Sequence, residues 1–164
     1  MELRIIEEEK KIKEDLTEIF QKIQQHTETI PTTTKEQVEK LSLLRSDIYE
    51  DLNQLQHISL ILEVAKLLQK EFPEINNWRW HPKQTSKPDE ADLTGFNDKK
   101  IIISSEVTTS QNPVGTIDSR MKKTLESLST KRGKRFYFVL TKSMYDRAKT
   151  KISNNCEFII RSIF

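Results

Sequence analysis

Two carboxylates of this 164-residue chain stand inside short apolar runs, Asp92 in residues 91–96 and Glu106 in residues 100–109. Acidic residues are depleted in strands, so their presence there favours chemistry over a solvated surface. Asn97-Asp98 between the runs is turn chemistry, and the two runs read as a β-hairpin. Carboxylates on neighbouring strands make a compact all-oxygen site. Such a site suits Mg²⁺, a hard ion that keeps waters and binds phosphate oxygens. The pair therefore points to metal-assisted chemistry on a phosphodiester.

Register decides whether the two groups meet. Strand side chains alternate faces, so Ile101, Ile103, Ser105 and Val107 are expected on one face. Ile102, Ser104, Glu106 and Thr108 are expected on the other. A three-residue loop over 97–99 pairs Phe96 with Lys100 and Asp92 with Ser104, leaving Asp92 diagonal to Glu106 on one face. A two-residue loop shifts the register by one and separates them. The site requires the odd loop length or a β-bulge.

The elements that must hold this hairpin are legible in outline. Residues 1–56 read as two helices, with Ile5, Ile12, Leu16, Ile19, Phe20 and Ile23 at near-helical spacing. The 30–34 run Ile-Pro-Thr-Thr-Thr breaks the pattern, and a threonine before Lys35 can cap the second helix. That helix carries Val38, Leu41, Leu44, Ile48, Leu52 and Leu55 close to a heptad repeat, so this region is either a packing hairpin or a dimerisation arm. Residues 60–72 read as a third helix stopped by Pro73, and 76–82 as a short strand or ordered loop. Thr116 is expected to cap a helix over Ile117, Met121, Leu125 and Leu128 that Gly133 ends. Residues 136–140 read as a strand buried on both faces, Ser143 as the cap of a helix reaching Ile152, and 156–160 as a last strand. The strand–helix–strand stretch 100–140 predicts a right-handed parallel crossover. The expected fold is α/β (α+β): a mixed sheet of four to five strands flanked by helices. The expected domains are 1–56, a helical region, and 57–164, the core.

Composition narrows the setting. Apolar residues are 35% and charged residues 32%, and mean hydropathy is −0.65. This is enough chain for one domain with a core and large solvated faces. A net charge of +2 does not announce a nucleic-acid partner, so any such surface must gather its basic residues locally. The single cysteine, Cys156, excludes an internal disulfide, lies in an apolar run expected to bury an inert thiol, and fits a cytoplasmic setting. No apolar run is long enough for a membrane helix and no signal peptide is evident, so no membrane partner is expected. His26, His57 and His81 lack zinc-ligand spacing, Asp89 and Glu90 read as solvated turn acids, and Trp78 and Trp80 read as core.

The run Pro88-Asp89-Glu90-Ala91-Asp92, followed by Glu106-Val107-Thr108 late in the next strand, resembles the PD-(D/E)XK nuclease superfamily, which includes many type II restriction endonucleases. The resemblance covers residues 60–164 by element order and rests on few motif residues. It implies a restriction-endonuclease-like fold in which Asp92 and Glu106 bind Mg²⁺ (Mn²⁺ substituting) and Val107 lends its carbonyl. A helix glutamate often joins such sites, and Glu63 matches. The departure is Thr108, where the family most often has Lys. A threonine hydroxyl orients water but brings no positive charge. Lys100, Arg120, Lys122 and Lys123 are candidates for a migrated cation.

The expected activity is Mg²⁺-dependent endonuclease cleavage of DNA, with RNA left open. Asp92, Glu106, Thr108 and Glu63 are the catalytic set, and the N-terminal helices are a route to a homodimer. Ser110, Gln111, Asn112, Arg120, Lys122 and Lys123 are expected to contact nucleic acid, beside basic Lys131, Arg132, Lys134 and Arg135. The alternatives are an inactive nucleic-acid-binding or assembly module of the same fold, and a helical interaction protein acting through residues 1–56.

Overall fold

A computed structural model describes residues 1–82, 90–152 and 158–163. Asp89 and Cys156 lie outside the described residues. The chain divides into two compact units, one of Arg4–Ser59 and one of Met1–Leu3 with Leu60–Phe164.

The first unit holds α1 (Ile5–Thr27) and the first part of α2 (Thr34–Glu71). The two stretches run antiparallel, tied by Lys22–Asp51 at 2.6 Å and His26–Asp47 at 2.7 Å. Thr33 caps α2, its hydroxyl accepting from the Glu36 backbone N–H at 3.3 Å. Ile19 and Leu55 are buried here, whereas Phe20, Val38 and Leu41 are exposed. The expected break between a second and a third helix does not occur, because residues 56–60 hold neither glycine nor proline and α2 continues to Glu71.

The second unit is α+β and carries the sheet. Its strands are β1 (Asn77–Trp80), β2 (Leu93–Asn97), β3 (Lys100–Val107), β4 (Lys134–Val139) and β5 (Phe158–Ser162), in spatial order β1-β2-β3-β4-β5. The first three strands pair antiparallel; β3, β4 and β5 pair parallel. Helices α3 (Thr116–Ser129) and α4 (Lys142–Lys151) make the two crossovers. Residues 1–3 extend beside β1, with a bridge from Glu2 to Arg79, instead of opening a helix.

The pairing sorts the side chains by face. Trp78, Trp80, Leu93, Gly95, Ile103, Ser105, Val107, Phe136 and Phe138 share one face and are buried. Phe72, just past α2, packs edge-on against Phe136 at 5.9 Å between ring centres and brings the end of α2 to this face. On the other face, Tyr137 and Val139 join Met121, Leu125, Leu128, Met144 and Ala148 in a core under α3 and α4.

Three expected helix boundaries differ. Gly115 (φ 55°), not Thr116, precedes α3, and no side chain caps it. Thr141, not Ser143, caps α4, accepting from the Met144 N–H at 3.2 Å. The apolar stripe of α3 ends at Leu128, so the helix stops at Ser129 and Gly133 serves a different purpose. Its φ is 79°, and a Cβ there would lie 2.5 Å from the Ile102 carbonyl oxygen. Glycine permits the close approach of this turn to β3.

Candidate active site

Hairpin β2–β3 closes with the short loop that, alone, would separate Asp92 from Glu106. Asn97 pairs with Lys100, leaving a two-residue turn in which Asp98 has φ 53°. Asn76 braces it, accepting from the Asp98 N–H at 3.1 Å and donating to the Asp98 carboxylate at 2.9 Å. The register then shifts. Phe96 pairs with Ile101 but Gly95 pairs with Ile103, so Ile102 is the extra residue of a β-bulge. Beyond it Leu93 pairs with Ser105, which brings Asp92 opposite Glu106 on one face. The bulge also corrects one sequence expectation: Ile101 faces with Thr94 and Phe96, not with Ile103.

The two carboxyls touch. Asp92 is buried, and its Oδ2 accepts the Val107 N–H at 2.8 Å. Glu106 is partly buried and hydrogen-bonded to Asp92. Burial first, then the Asp92 charge and that hydrogen bond, push the Glu106 carboxyl up to about 9, while the Lys131 charge pulls the other way. One of the pair therefore holds a proton at neutral pH when no cation is bound. Tyr137, next to Glu106 on β4, is buried, and its hydroxyl meets that of Thr108. Burial drives its pKa above the ordinary phenol value, Thr108 opposes this, and Glu106 and Asp92 add to it.

The remaining expected site residues are placed as follows. Thr108 follows β3, its backbone N–H donating to the Phe138 carbonyl at 3.0 Å and its hydroxyl accepting the Ser110 N–H at 3.3 Å. Gln111 is exposed, and its carbonyl accepts the Thr141 hydroxyl at 2.7 Å, which ties the loop after β3 to the start of α4. Asn112, Arg120, Lys122 and Lys123 are exposed, and Lys122 lies 3.8 Å from Glu126. Glu63 is exposed and pairs with Lys66 at 2.8 Å; it is not among the groups acting on Glu106. None of Lys100, Arg120, Lys122 and Lys123 is among them either; the cation acting there is Lys131, in the turn after α3. Tyr137 and Lys131 are the residues sequence reasoning did not single out for the site. The parallel pairing of β3 with β4 brings Tyr137 in, and a crossover of known register would have found it.

Among the described residues no cluster of three or more His, Cys, Asp or Glu side chains is placed to hold a metal. The donor pair expected from the sequence is Asp92 and Glu106, which the register brings to one face. Its chemistry fits a divalent hard cation: two carboxylate ends share one face, and their repulsion is relieved by a positive charge between them. Among the described residues no helix is long and apolar enough to cross a membrane. Comparison with known proteins adds no relative: no family model, curated protein or solved structure matches the chain.

Proposed function

We propose that the chain is an Mg²⁺-dependent endonuclease of restriction-endonuclease-like fold that hydrolyses phosphodiester bonds of DNA. The observation that carries this reading is the bulge-enforced meeting of Asp92 and Glu106, two carboxyls set face to face in a sheet, with the Lys131 charge acting on Glu106. Perturbed carboxylates of this kind cluster at functional sites. Asp92 and Glu106 would hold the ion, with the Val107 N–H fixing the Asp92 carboxylate. A bound divalent ion supplies charge stabilisation at a phosphoryl oxygen and makes water acidic enough to attack at neutral pH.

The chain's own groups do the rest. The Thr108 hydroxyl, held by Tyr137, is the hydrogen-bonding group that orients the attacking water where the family most often has Lys. Tyr137 keeps its proton at neutral pH and serves as a donor, never as a base. Lys131 supplies the positive charge that Thr108 lacks and faces the charge developing on the phosphate. The exposed Arg120 and Lys123 on α3 are phosphate contacts, and the exposed apolar side chains of α1 and α2 offer a self-association surface.

The test is cleavage of supercoiled plasmid and of single-stranded circular DNA with Mg²⁺, Mn²⁺ or EDTA, beside the Glu106→Ala protein. Metal-dependent cutting lost in the variant is the expected result. No cutting of either DNA, or of RNA, by the wild-type protein would sink the reading. The inactive-module reading would then stand, and the occupation of Thr108 by Tyr137 favours it: it predicts salt-sensitive nucleic-acid binding that survives Asp92→Ala and Glu106→Ala together.

A further inference from the structure

A cavity of about 500 Å³ opens on the same sheet face as the carboxylate pair. Helices α3 and α4 cover the β4 side of this face, and the part over β1, β2 and the start of β3 is left concave. The cavity adjoins the pair directly. Ala91, the residue before Asp92, lines it, as does Ser104, two positions before Glu106 on its face. Lys131, the cation acting on Glu106, lines it too.

Its lining is neither a plain phosphate cradle nor a plain apolar pocket. Arg79, Lys131 and Arg132 bring positive charge to it. The Arg79 guanidinium lies over the Phe96 ring at 4.9 Å, forming one wall that is flat, apolar and cationic. Ile101, turned to this face by the bulge, adds apolar floor, and the Thr94 hydroxyl adds a polar group. Glu2 also lines the cavity, and His81 lies 3.0 Å from Glu90 at its edge. A planar ring that carries an anionic group matches this set: the ring against the Arg79–Phe96 wall, the anion toward Lys131 and Arg132. The volume lies within the roughly 300–1,000 Å³ of small-molecule sites, which suits a nucleotide and excludes a base pair with both its backbones.

We infer that this cavity receives one unpaired nucleotide of the substrate strand beside the bond that is cut, so that the preferred substrate carries a single-stranded segment. The inference rests on the nuclease reading for the position of the cut, but its binding half stands apart from catalysis. Uninterrupted duplex offers only its phosphates to the cavity and leaves the Arg79–Phe96 wall unused.

The test is fluorescence polarisation with the full chain and a labelled mixed-sequence oligodeoxynucleotide, as a single strand and as blunt duplex, in EDTA and again in Ca²⁺. Wild-type protein is compared with Thr94→Phe, which fills the cavity, and with Arg79→Ala, an exposed position whose truncation leaves the sheet intact. The single strand is expected to bind about tenfold tighter than the duplex, and each variant to weaken the single strand by about tenfold, the value of roughly one stacked base. Duplex binding should stay within about twofold of wild type in Thr94→Phe, and in Arg79→Ala it should weaken less than single-strand binding does. Equal binding of strand and duplex, single-strand binding unchanged in both variants, or no binding at all would each overturn the inference. Its failure is separable from failure of the nuclease reading. Metal-dependent cleavage that Thr94→Phe and Arg79→Ala leave untouched removes the cavity and keeps the nuclease. Cavity-dependent binding with no cleavage in Mg²⁺ or Mn²⁺ does the reverse.

Discussion

Two carboxylate sites of the same α+β unit are built in opposite ways. Asp118, on α3, accepts from Arg147 Nε at 2.7 Å and from Lys151 Nζ at 2.9 Å, both on α4. These partners hold its carboxyl far below the ordinary carboxylate range. Asp92 and Glu106 face each other instead, and burial together with like charge pushes Glu106 far above that range. Asp118 is finished by the fold's own cations, and it joins two helices. Lys131 is the cation acting on Glu106, and on the proposed reading a metal ion would complete the strand pair. Burial first and the Asp92 charge second raise Glu106, whereas its two cationic partners govern Asp118.

The largest effect that breaks this contrast lies outside both sites. Gly133 lets the turn after α3 close on the carbonyl of the bulge residue Ile102, and the bulge sets Asp92 opposite Glu106. Gly133→Ala is expected to cost about 2–3 kcal/mol in urea unfolding, from the positive φ and the backbone contact combined. A cost no greater than that of an ordinary surface substitution would show that the turn does not brace the bulge.

A smaller change sharpens the contrast through pH. The Glu106 carboxyl is raised from 4.5 to about 9 in the fold, so the folded state holds a proton that the unfolded chain gives up. This contribution is complete below pH 4.5 and is lost as pH rises through 9. Metal-free stability should therefore fall across that window. Glu106→Gln, which cannot ionise, should flatten the fall and gain about 1–2 kcal/mol at the alkaline end, read from urea midpoints at several pH values. A wild-type profile parallel to that of the variant would contradict the coupling.

Asp118 gives the smallest effect and the opposite sign. Its depressed carboxyl contributes above the ordinary carboxylate range, and the contribution is lost as pH falls below it. Asp118→Asn should lower the thermal midpoint slightly at neutral pH, lose that difference in acid, and leave nucleic-acid cleavage at the wild-type rate. Loss of cleavage in this variant would place Asp118 in the chemistry and erase the distinction between the two sites.

Much of this was legible in the residues, and the gaps have physical causes. The mixed sheet followed from apolar runs, turn residues and the crossover rule, and the continuous burial of β4 from Phe136 to Val139 followed from its unbroken apolar sequence. The need for an odd loop or a bulge was readable, but Ile102 as the extra residue was not. A bulge is chosen by tertiary fit, here by Gly133 against the Ile102 carbonyl, and glycine at 133 reads equally well as a helix stop. Helix caps failed for a related reason: Thr141 and Ser143 are both competent, and the bond from the Thr141 hydroxyl to the Gln111 carbonyl selects between them. Lys131 was hidden among neighbouring basic residues because charge alone does not say which of them the turn aims at β3.

The central claim is that Asp92 and Glu106 form a divalent-cation site, and calorimetric titration with Mn²⁺ tests it most directly. Wild-type protein should bind one ion and release a proton on binding below pH 9, with affinity rising about tenfold per pH unit in that range. Asp92→Asn and Glu106→Gln should each abolish the uptake, and Asp118→Asn should retain it. Mn²⁺ binding that survives both strand variants, or no uptake by the wild-type protein at pH 9, would contradict the account.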